Sequence, residues 1–114
     1  MNQTANIPLA ESQLADLQEQ AGEAAAFLKQ LANEKRLLIL CRLAESEATV
    51  SELCTMAGLS QSAMSQHLAK MRAEGLVEGR KDGLQVHYSI ADPRCVGILE
   101  NLKAQFCTAA EGLG

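Results

Sequence analysis

Hydrophobic residues recur at helical spacing over the first third of this chain. From Ser12 to Leu31, leucine and alanine return every three or four residues, which predicts one long helix with an apolar stripe. Asn33 is a suitable N-cap for a second helix over residues 34–45, and residues 37–43 make that helix apolar almost all round. We expect this second helix to form the buried centre of the domain.

A helix-turn-helix is predicted next, between residues 50 and 71. Ser51 has the character of an N-cap for a short helix, Gly58 can adopt the left-handed conformation that ends it, and Ser60 caps the following helix. One side of this following helix is apolar and carries Met64, Leu68 and Met71. The opposite side carries short polar side chains, which can contact base edges while the helix lies in a major groove. The arrangement predicts a DNA-reading helix.

After the reading helix the hydrophobic period changes to two, which predicts a β-hairpin. Its strands are expected at residues 76–80 and 85–90, joined by a turn at residues 81–83 that contains the Asp-Gly signal. Apolar and polar residues alternate in the second strand, so we expect one buried and one solvated face. The hairpin is a wing with Arg80 and Lys81 near its tip.

Asp92 and Pro93 begin a last helix, which is expected to run to about residue 109. Its apolar stripe is not needed inside one protomer, and together with the stripe of the first helix it predicts the seam of a homodimer. The predicted fold class is therefore mainly α with a β-hairpin wing. It is a winged helix-turn-helix of five helices that dimerises through its first and last helices.

The length of 114 residues predicts one domain. We expect a disordered N-terminal tail at residues 1–10, a DNA-binding and dimerisation domain at 11–110, and a flexible C-terminal end at 111–114. No apolar run reaches the roughly 18 residues that a membrane span needs. The N-terminus also lacks the basic start and apolar core of a signal peptide. A cytoplasmic protein with no membrane partner is expected.

The net charge of −4 is unfavourable for DNA binding, since electrostatic attraction supplies most of the non-specific affinity for nucleic acids. The distribution of the charges changes this picture. Residues 60–81 contain four basic and two acidic residues, whereas residues 1–57 contain eight acidic and four basic residues. The basic surface therefore coincides with the predicted reading helix and wing.

Seven side chains are predicted to contact double-stranded DNA. Base edges are assigned to Ser62, Ser65 and Gln66, nearby phosphates or bases to Gln61 and Lys70, and the backbone across the minor groove to Arg80 and Lys81. In a two-fold dimer the two reading helices would meet major grooves about 34 Å apart. The predicted operator is therefore an inverted repeat.

Two motifs carry a resemblance to a known family. The order of the elements, with Leu-Ser-Gln-Ser-Ala-Met-Ser-Gln-His-Leu at 59–68 and Glu-Gly-Leu-Val at 74–77, resembles the ArsR family of winged-helix repressors over about residues 20–108. Within that family, Asn-Glu-Lys-Arg-Leu-Leu-Ile-Leu-Cys at 33–41 and the late Phe106-Cys107 are similar to the thiol-based sulfide and persulfide sensors of the SqrR and BigR type. The resemblance implies a homodimeric repressor that an inducer releases from DNA, with Cys41 and Cys107 as the sensing pair. We expect the inducer to be a small persulfide or polysulfide that joins these two cysteines within one protomer by a polysulfide or disulfide bridge.

The four cysteines have other interpretations as well. They stand far apart with no C-x-x-C pair, and free cysteine is commonly a buried packing residue. Peroxide could also replace persulfide as the oxidant of Cys41 and Cys107, giving a plain disulfide. Thiol reactivity requires a lowered pKa, which depends on the folded environment.

Metal sensing is a further alternative within the family. A metal(loid) site of the arsenic type needs two thiolates in a C-x-C, and here Cys54 is followed by Met56 at the second position. A zinc site on the last helix needs histidine, which residues 93–114 lack. We therefore expect no metal and no cofactor. The absence of a Gly-rich phosphate loop and of a Ser/His/Asp set also argues against an enzyme.

Overall fold

The computed structural model of the protein describes residues 8–107. The elements in chain order are α1 (Glu11–Leu31), α2 (Glu34–Leu43), β1 (Ala48–Thr49), α3 (Val50–Ala57), α4 (Gln61–Ala73), β2 (Val77–Asp82), β3 (Gln85–Ile90) and α5 (Pro93–Phe106). The strands form an antiparallel sheet in the order β1-β3-β2. The predicted fold of five helices with a β-hairpin wing is thus confirmed.

The predicted ends of the chain fall mostly outside this range. Residues 1–7 of the predicted tail, the end of the last helix near residue 109 and the predicted C-terminal end at 111–114 lie outside the described residues. The domain boundaries stay predictions.

The chain divides into two compact units between Asn33 and Glu34. The first unit contains α1, which begins where the Gln13 side chain accepts a hydrogen bond from the Ala10 backbone N–H, at 3.0 Å. Three leucines of α1 are each about half exposed, namely Leu14, Leu17 and Leu28. No helix within residues 8–107 is both long and apolar enough to span a bilayer.

The second unit has its core between α2, α3, α4, α5 and the sheet. In α2 the buried residues are Ile39, Leu40 and Leu43, whereas the Leu38 side chain is 41% exposed and Cys41 is half-buried. The prediction that α2 forms the buried centre of the domain therefore holds for one face of the helix only, and its other face is partly exposed. A unit this small has too few elements to cover a helix all round, and α2 ends at Leu43, two residues earlier than predicted.

The N-cap of α3 is Thr49 and not Ser51 as predicted. Thr49 Oγ1 accepts a hydrogen bond from the Glu52 N–H at 3.2 Å, and Glu52 Oε1 accepts one from the Thr49 N–H at 2.9 Å. Such a reciprocal capping box requires an acceptor side chain three residues after the cap. Ser51 has Cys54 at that position, so the pair Thr49 and Glu52 determines where the helix begins.

The wing differs from the prediction at its turn. Asp82 pairs with Gln85, so the loop has only two residues, Gly83 and Leu84, and the predicted turn at residues 81–83 is wrong. Gly83 has φ +66°, the conformation that a two-residue hairpin loop with glycine at its first position requires. As a result Lys81 lies within the ladder of β2.

The second strand of the hairpin, β3, has the predicted bounds but not the predicted burial. Residues 86–90 are all half-buried, so the two faces of β3, the middle strand of the sheet, do not separate into one buried and one solvated face. The covering that exists is local. A Cβ atom at Gly79 would lie 3.0 Å from Val86 Cγ1 and 3.2 Å from Tyr88 Cε1, so these two side chains close over the glycine.

Candidate DNA-reading surface and thiol pocket

The turn between α3 and α4 is held at both ends by hydrogen bonds. Gly58 has φ +66°, and its N–H and that of Leu59 both donate to the Cys54 carbonyl, at 2.9 and 3.2 Å. Ser60 Oγ accepts a hydrogen bond from the Ala63 N–H at 3.1 Å. The predicted roles of Gly58 as the left-handed C-cap and of Ser60 as the N-cap are confirmed. This turn fixes the angle at which α4 leaves α3.

The two faces of α4 separate as the sequence predicts. Met64, Leu68 and Met71 are fully buried. The side chains on the opposite face are exposed, and they include Gln61, Ser62, Ser65, Gln66 and Lys70. These five residues form a continuous polar surface on a rigid helix, and their contact with DNA stays a prediction.

The first turn of α2 holds the end of α3 and the end of the reading helix α4. Lys35 Nζ donates to the Ala57 carbonyl at the end of α3, at 3.0 Å. Arg36 forms a two-pronged salt bridge with Glu74, the C-cap residue of α4, at 2.7 and 3.3 Å. Neither contact was predicted. The sequence carries a signal for such contacts. Two cations in the first turn of a helix are repelled by its macrodipole, so acceptor groups on other elements are expected to stabilise them.

The wing cations differ in their surroundings. Lys81 is exposed, whereas the Arg80 guanidinium hydrogen-bonds Glu47, with Nη2 2.8 Å from Oε1 and Nε 3.4 Å from Oε2. The hydrogen bond from Arg80 lowers the pKa of the Glu47 carboxyl and raises that of the guanidinium. The Glu47 carboxylate therefore competes with a DNA phosphate for the Arg80 guanidinium.

Cys41 and Cys107 line one pocket of about 300 Å³ between α2 and α5. Its described lining residues are Leu37, Cys41, Leu102, Lys103, Phe106 and Cys107. They meet because Leu37 and Cys41 are one turn apart on α2, while the others cover the last turn and C-cap of α5. The structure thus brings together the two cysteines that the resemblance selected.

Cys107 stands where α5 ends. Its backbone is extended, with φ −97° and ψ 123°, and its N–H donates to the Lys103 carbonyl at 2.9 Å. The Cys107 side chain is exposed, so reagents in solution can reach it. Cys41, by contrast, is half-buried among the pocket residues.

Burial raises the pKa of the Cys41 thiol. The Lys103 ammonium lowers this pKa, and the neighbouring Cys107 and Glu45 raise it. The net direction is upward, so the resting site holds Cys41 mainly as a thiol at neutral pH. The sequence alone predicts neither this protonation state nor the opposing part of Lys103.

The remaining two cysteines lie in other surroundings. Cys95 is completely buried in α5, and burial raises the pKa of its thiol. Cys54 is half-buried in α3, with its carbonyl occupied by the turn. Within residues 8–107, no three His, Cys, Asp or Glu side chains are grouped so that they could hold a metal ion.

Comparison with known proteins places these features in a family. The family described as bacterial regulatory protein, arsR family, matches residues 33–79. The HTH-type transcriptional regulator YgaV of Escherichia coli is 46% identical over 97 residues, which are 84% of this chain and 98% of that protein. The transcriptional activator HlyU of Vibrio cholerae is 41% identical over 84% of this chain and 89% of its own length.

Solved structures give the same assignment. The transcriptional repressor BigR from Xylella fastidiosa superposes with a TM-score of 0.77 at 33% identity, over 83% of this chain and 97% of that one. A homodimeric winged helix-turn-helix DNA-binding domain from Mycobacterium bovis superposes with a TM-score of 0.62 at 28% identity, over 87% of this chain and 89% of that one. Both carry the same architecture of helices and wing.

Proposed function

The chain belongs to the ArsR family of bacterial regulatory proteins, and we propose that it is a homodimeric repressor that persulfide oxidation of Cys41 and Cys107 releases from its operator. As a member of a family of transcriptional regulators it is not an enzyme, in agreement with the sequence. The relatives include both a named repressor and a named activator. Repression is therefore the part of the proposal that a reporter gene under the operator tests directly.

The observation that carries the proposal is the pocket that Cys41 and Cys107 share. One cysteine lies on α2 and the other at the end of α5, so a covalent bridge between them ties these two helices together. Cys107 is exposed to solution, and it is near enough to Cys41 to raise the pKa of the Cys41 thiol. A bridge within one protomer is the simplest use of this arrangement.

The DNA-binding half of the proposal rests on α4. Its polar face is exposed, its apolar face is anchored in the core, and its start is fixed by the α3–α4 turn. Two such helices related by a two-fold axis read an inverted repeat. The homodimeric domain from Mycobacterium bovis supports the two-fold arrangement.

The dimer seam is proposed on apolar surface that each compact unit exposes. In the first unit this surface is the leucine stripe of α1, formed by Leu14, Leu17 and Leu28. In the second unit the Phe106 side chain at the end of α5 is 81% exposed. A second copy of the chain covering these side chains removes apolar area from water, which favours association.

The bridge between Cys41 and Cys107 forms by two successive thiol exchange reactions. The Cys41 thiolate attacks the outer sulfur of a persulfide R–S–SH. A bond forms between Cys41 and that sulfur, the bond from it to R–S breaks, and RS⁻ leaves with the electron pair. Cys41 is thereby oxidised to Cys41–S–SH, and the donor is reduced to a thiol.

The bridge follows in a second exchange. Cys107 loses its proton to water and attacks the Cys41 sulfur, so that a disulfide forms and HS⁻ leaves with the electron pair of the broken S–S bond. When Cys107 has first been converted to its own persulfide, the same attack by its outer sulfur gives a trisulfide and HS⁻. The trisulfide retains one donor sulfur atom, which distinguishes it from the product of peroxide.

The path from the bridge to DNA runs along α2. Cys41 lies about one and a half helical turns after Lys35 and Arg36, which hold the end of α3 and the end of α4. A displacement of α2 by the bridge therefore changes the position of the reading helix. Allosteric coupling of this kind is typically about 1–3 kcal/mol, or about 5–150-fold in affinity, and we expect the loss of operator affinity to lie in this range.

The test begins by selecting an operator duplex from random sequences with the reduced protein. Its affinity is then measured by fluorescence anisotropy before and after glutathione persulfide, for the wild type and for Cys41→Ser, Cys107→Ser and Cys54→Ser. We expect release of the wild type and of the Cys54→Ser control, and no release of the other two. Release that survives Cys41→Ser or Cys107→Ser overturns the proposal.

Mass spectrometry of the same samples identifies the oxidant. A peptide pair joined through Cys41 and Cys107 with added sulfur after persulfide, and without it after hydrogen peroxide, supports a sulfur sensor. A plain disulfide and equal release with both reagents supports the peroxide alternative.

A further inference from the structure

Lys103 is the charged residue among the described residues that line the thiol pocket. It lies on the last turn of α5, and the backbone N–H of Cys107 donates to its carbonyl. The other described lining residues are apolar side chains and the two cysteines. A cation in such surroundings exerts more influence than one in open water, because fewer water molecules screen it.

Within residues 8–107, Lys103 has one ion-pair partner. Lys103 Nζ lies 3.7 Å from Glu45 Oε2, and both side chains are partly exposed, at 36% and 63%. At this distance and exposure the pair is loose, so the ammonium is only partly neutralised. Glu45 follows the end of α2, the helix that carries Cys41.

The charged groups that act on Cys41 come from both helices beside the pocket. Lys103 on α5 lowers the pKa of the Cys41 thiol, whereas Glu45 beyond α2 and Cys107 at the end of α5 raise it. Lys103 and Glu45 therefore form an opposing pair whose balance changes the thiolate fraction of Cys41.

We propose that Lys103, which lines the same pocket as Cys41, increases the reactivity of Cys41 by stabilising negative charge on its sulfur and by drawing anionic sulfur donors into the pocket. The second half of this proposal rests on the proposed function, while the first half does not. Inorganic polysulfides are anions and glutathione persulfide carries carboxylates, whereas hydrogen peroxide is neutral. The lysine thus gives the pocket a preference for the class of donor that a sulfur sensor must recognise.

The lysine also acts on the leaving group. When the Cys41 thiolate attacks R–S–SH, the negative charge moves to the departing RS⁻. An ammonium group fixed beside the pocket stabilises that charge as it develops. The same group therefore favours the attacking thiolate, the anionic donor and the product anion.

The test uses the reduced, full-length protein without DNA and without a sulfur donor. Alkylation of Cys41 by neutral iodoacetamide is followed against pH, with the Cys41 peptide quantified by mass spectrometry so that Cys54 serves as an internal control. In Lys103→Met, which keeps the length and apolar stem of the side chain, the profile should move to higher pH by about half to one unit. At neutral pH the rate should then fall about three- to tenfold.

Two further variants separate charge from shape. Lys103→Arg keeps the cation and should react within about twofold of the wild type. Glu45→Gln removes the opposing carboxylate and should move the profile of Cys41 to lower pH. A Lys103→Met profile that coincides with the wild type overturns the proposal, as does a Lys103→Arg profile that coincides with Lys103→Met.

The preference for anions is measured with a second reagent. Iodoacetate and iodoacetamide alkylate the same thiolate, but only iodoacetate is negatively charged. At Cys41 the rate with iodoacetate divided by the rate with iodoacetamide should fall in Lys103→Met. If this ratio is unchanged, Lys103 does not draw anions into the pocket, and that part of the proposal is overturned. Because neither reagent is a sulfur donor, these outcomes are independent of whether persulfide releases the protein from DNA.

Discussion

The Glu47 carboxylate, just before β1, and the Arg80 guanidinium on β2 form a salt bridge, with Oε1 2.8 Å from Nη2. Arg80 is a proposed contact to the DNA backbone, so the carboxylate competes with phosphate for the same cation. We expect Glu47→Gln to bind the operator more tightly. The slope of log affinity against log salt concentration should steepen by about one, because one more phosphate is neutralised.

The matched control is Glu78→Gln, which removes the same charge from an exposed position on β2. Any gain in DNA affinity that comes only from the less negative net charge appears in both variants. An equal change in salt slope for Glu47→Gln and Glu78→Gln contradicts the idea that Glu47 restrains Arg80. Titrations of the operator with each variant at several salt concentrations measure the affinity and its salt slope.

The bridge between Arg36 and Glu74 should matter for both stability and signal transmission. It is partly buried, with side-chain exposures of 12% and 31%, and it joins α2 to the end of α4. Glu74→Gln should lower the free energy of unfolding by about 0.5–1 kcal/mol, measured by urea denaturation. It should also reduce the ratio of operator affinities between the reduced and the Cys41–Cys107 bridged protein, because α4 then follows α2 less closely.

If Glu74→Gln lowers the stability but leaves the affinity ratio unchanged, the salt bridge between Arg36 and Glu74 only stabilises the fold. Glu78→Gln again serves as the control for charge. It should leave both the unfolding free energy and the affinity ratio close to those of the wild type.

Local signals explain which parts of this structure were predictable. The bounds of β3 and the start of α5 follow from residues adjacent in the chain, such as Asp92 followed by Pro93. The N-cap of α3 predicted at Ser51 is wrong although the signal, the pair Thr49 and Glu52, is local. The strand β1 has only two residues, and so short a segment carries no hydrophobic period.

The candidate sites were predictable only in part, for a different reason. The polar face of α4 follows from helical geometry, so its exposure could be derived from the sequence. The contacts Lys35 to Ala57 and Arg80 to Glu47 join residues 22 and 33 positions apart, and they depend on how the elements pack. The opposing effects of Lys103 and Glu45 on Cys41 likewise exist only once α2 and α5 lie side by side.

The cap of α5 should make a pH-dependent contribution to stability. Asp92 accepts a hydrogen bond from the Arg94 N–H at 3.0 Å, and its side-chain bond to the Arg94 guanidinium lowers the pKa of its carboxyl. Because this pKa is lower in the folded than in the unfolded chain, the contribution is complete above the ordinary carboxyl pKa of about 4. It is lost as the pH falls through the lowered folded value.

Two variants separate the cap from the ion pair. Asp92→Ala should lower the free energy of unfolding at neutral pH by about 1 kcal/mol, since it removes the cap. Asp92→Asn keeps an acceptor and should lose less, because the pair with the exposed Arg94 is screened by solvent. Denaturation at neutral and acidic pH should show the gap between the wild type and Asp92→Asn closing in acid, and a constant gap contradicts the linkage.

The two kinds of contact assigned to α4 should fail in different ways. Gln66 is assigned to a base edge, so Gln66→Ala should cost about 1–3 kcal/mol of operator affinity and relax the preference at one base pair of each half-site. Lys70 is assigned in part to phosphate, so Lys70→Met should weaken binding to all sequences similarly and reduce the salt slope by about one. Anisotropy titrations against the operator, single-base variants of it and an unrelated duplex distinguish the two.

Both side chains are exposed, so neither variant disturbs the core residues Met64, Leu68 and Met71 beneath them. A Gln66→Ala protein that retains full discrimination between these duplexes would remove Gln66 from the reading surface and leave the neighbouring serines as the base-contacting residues.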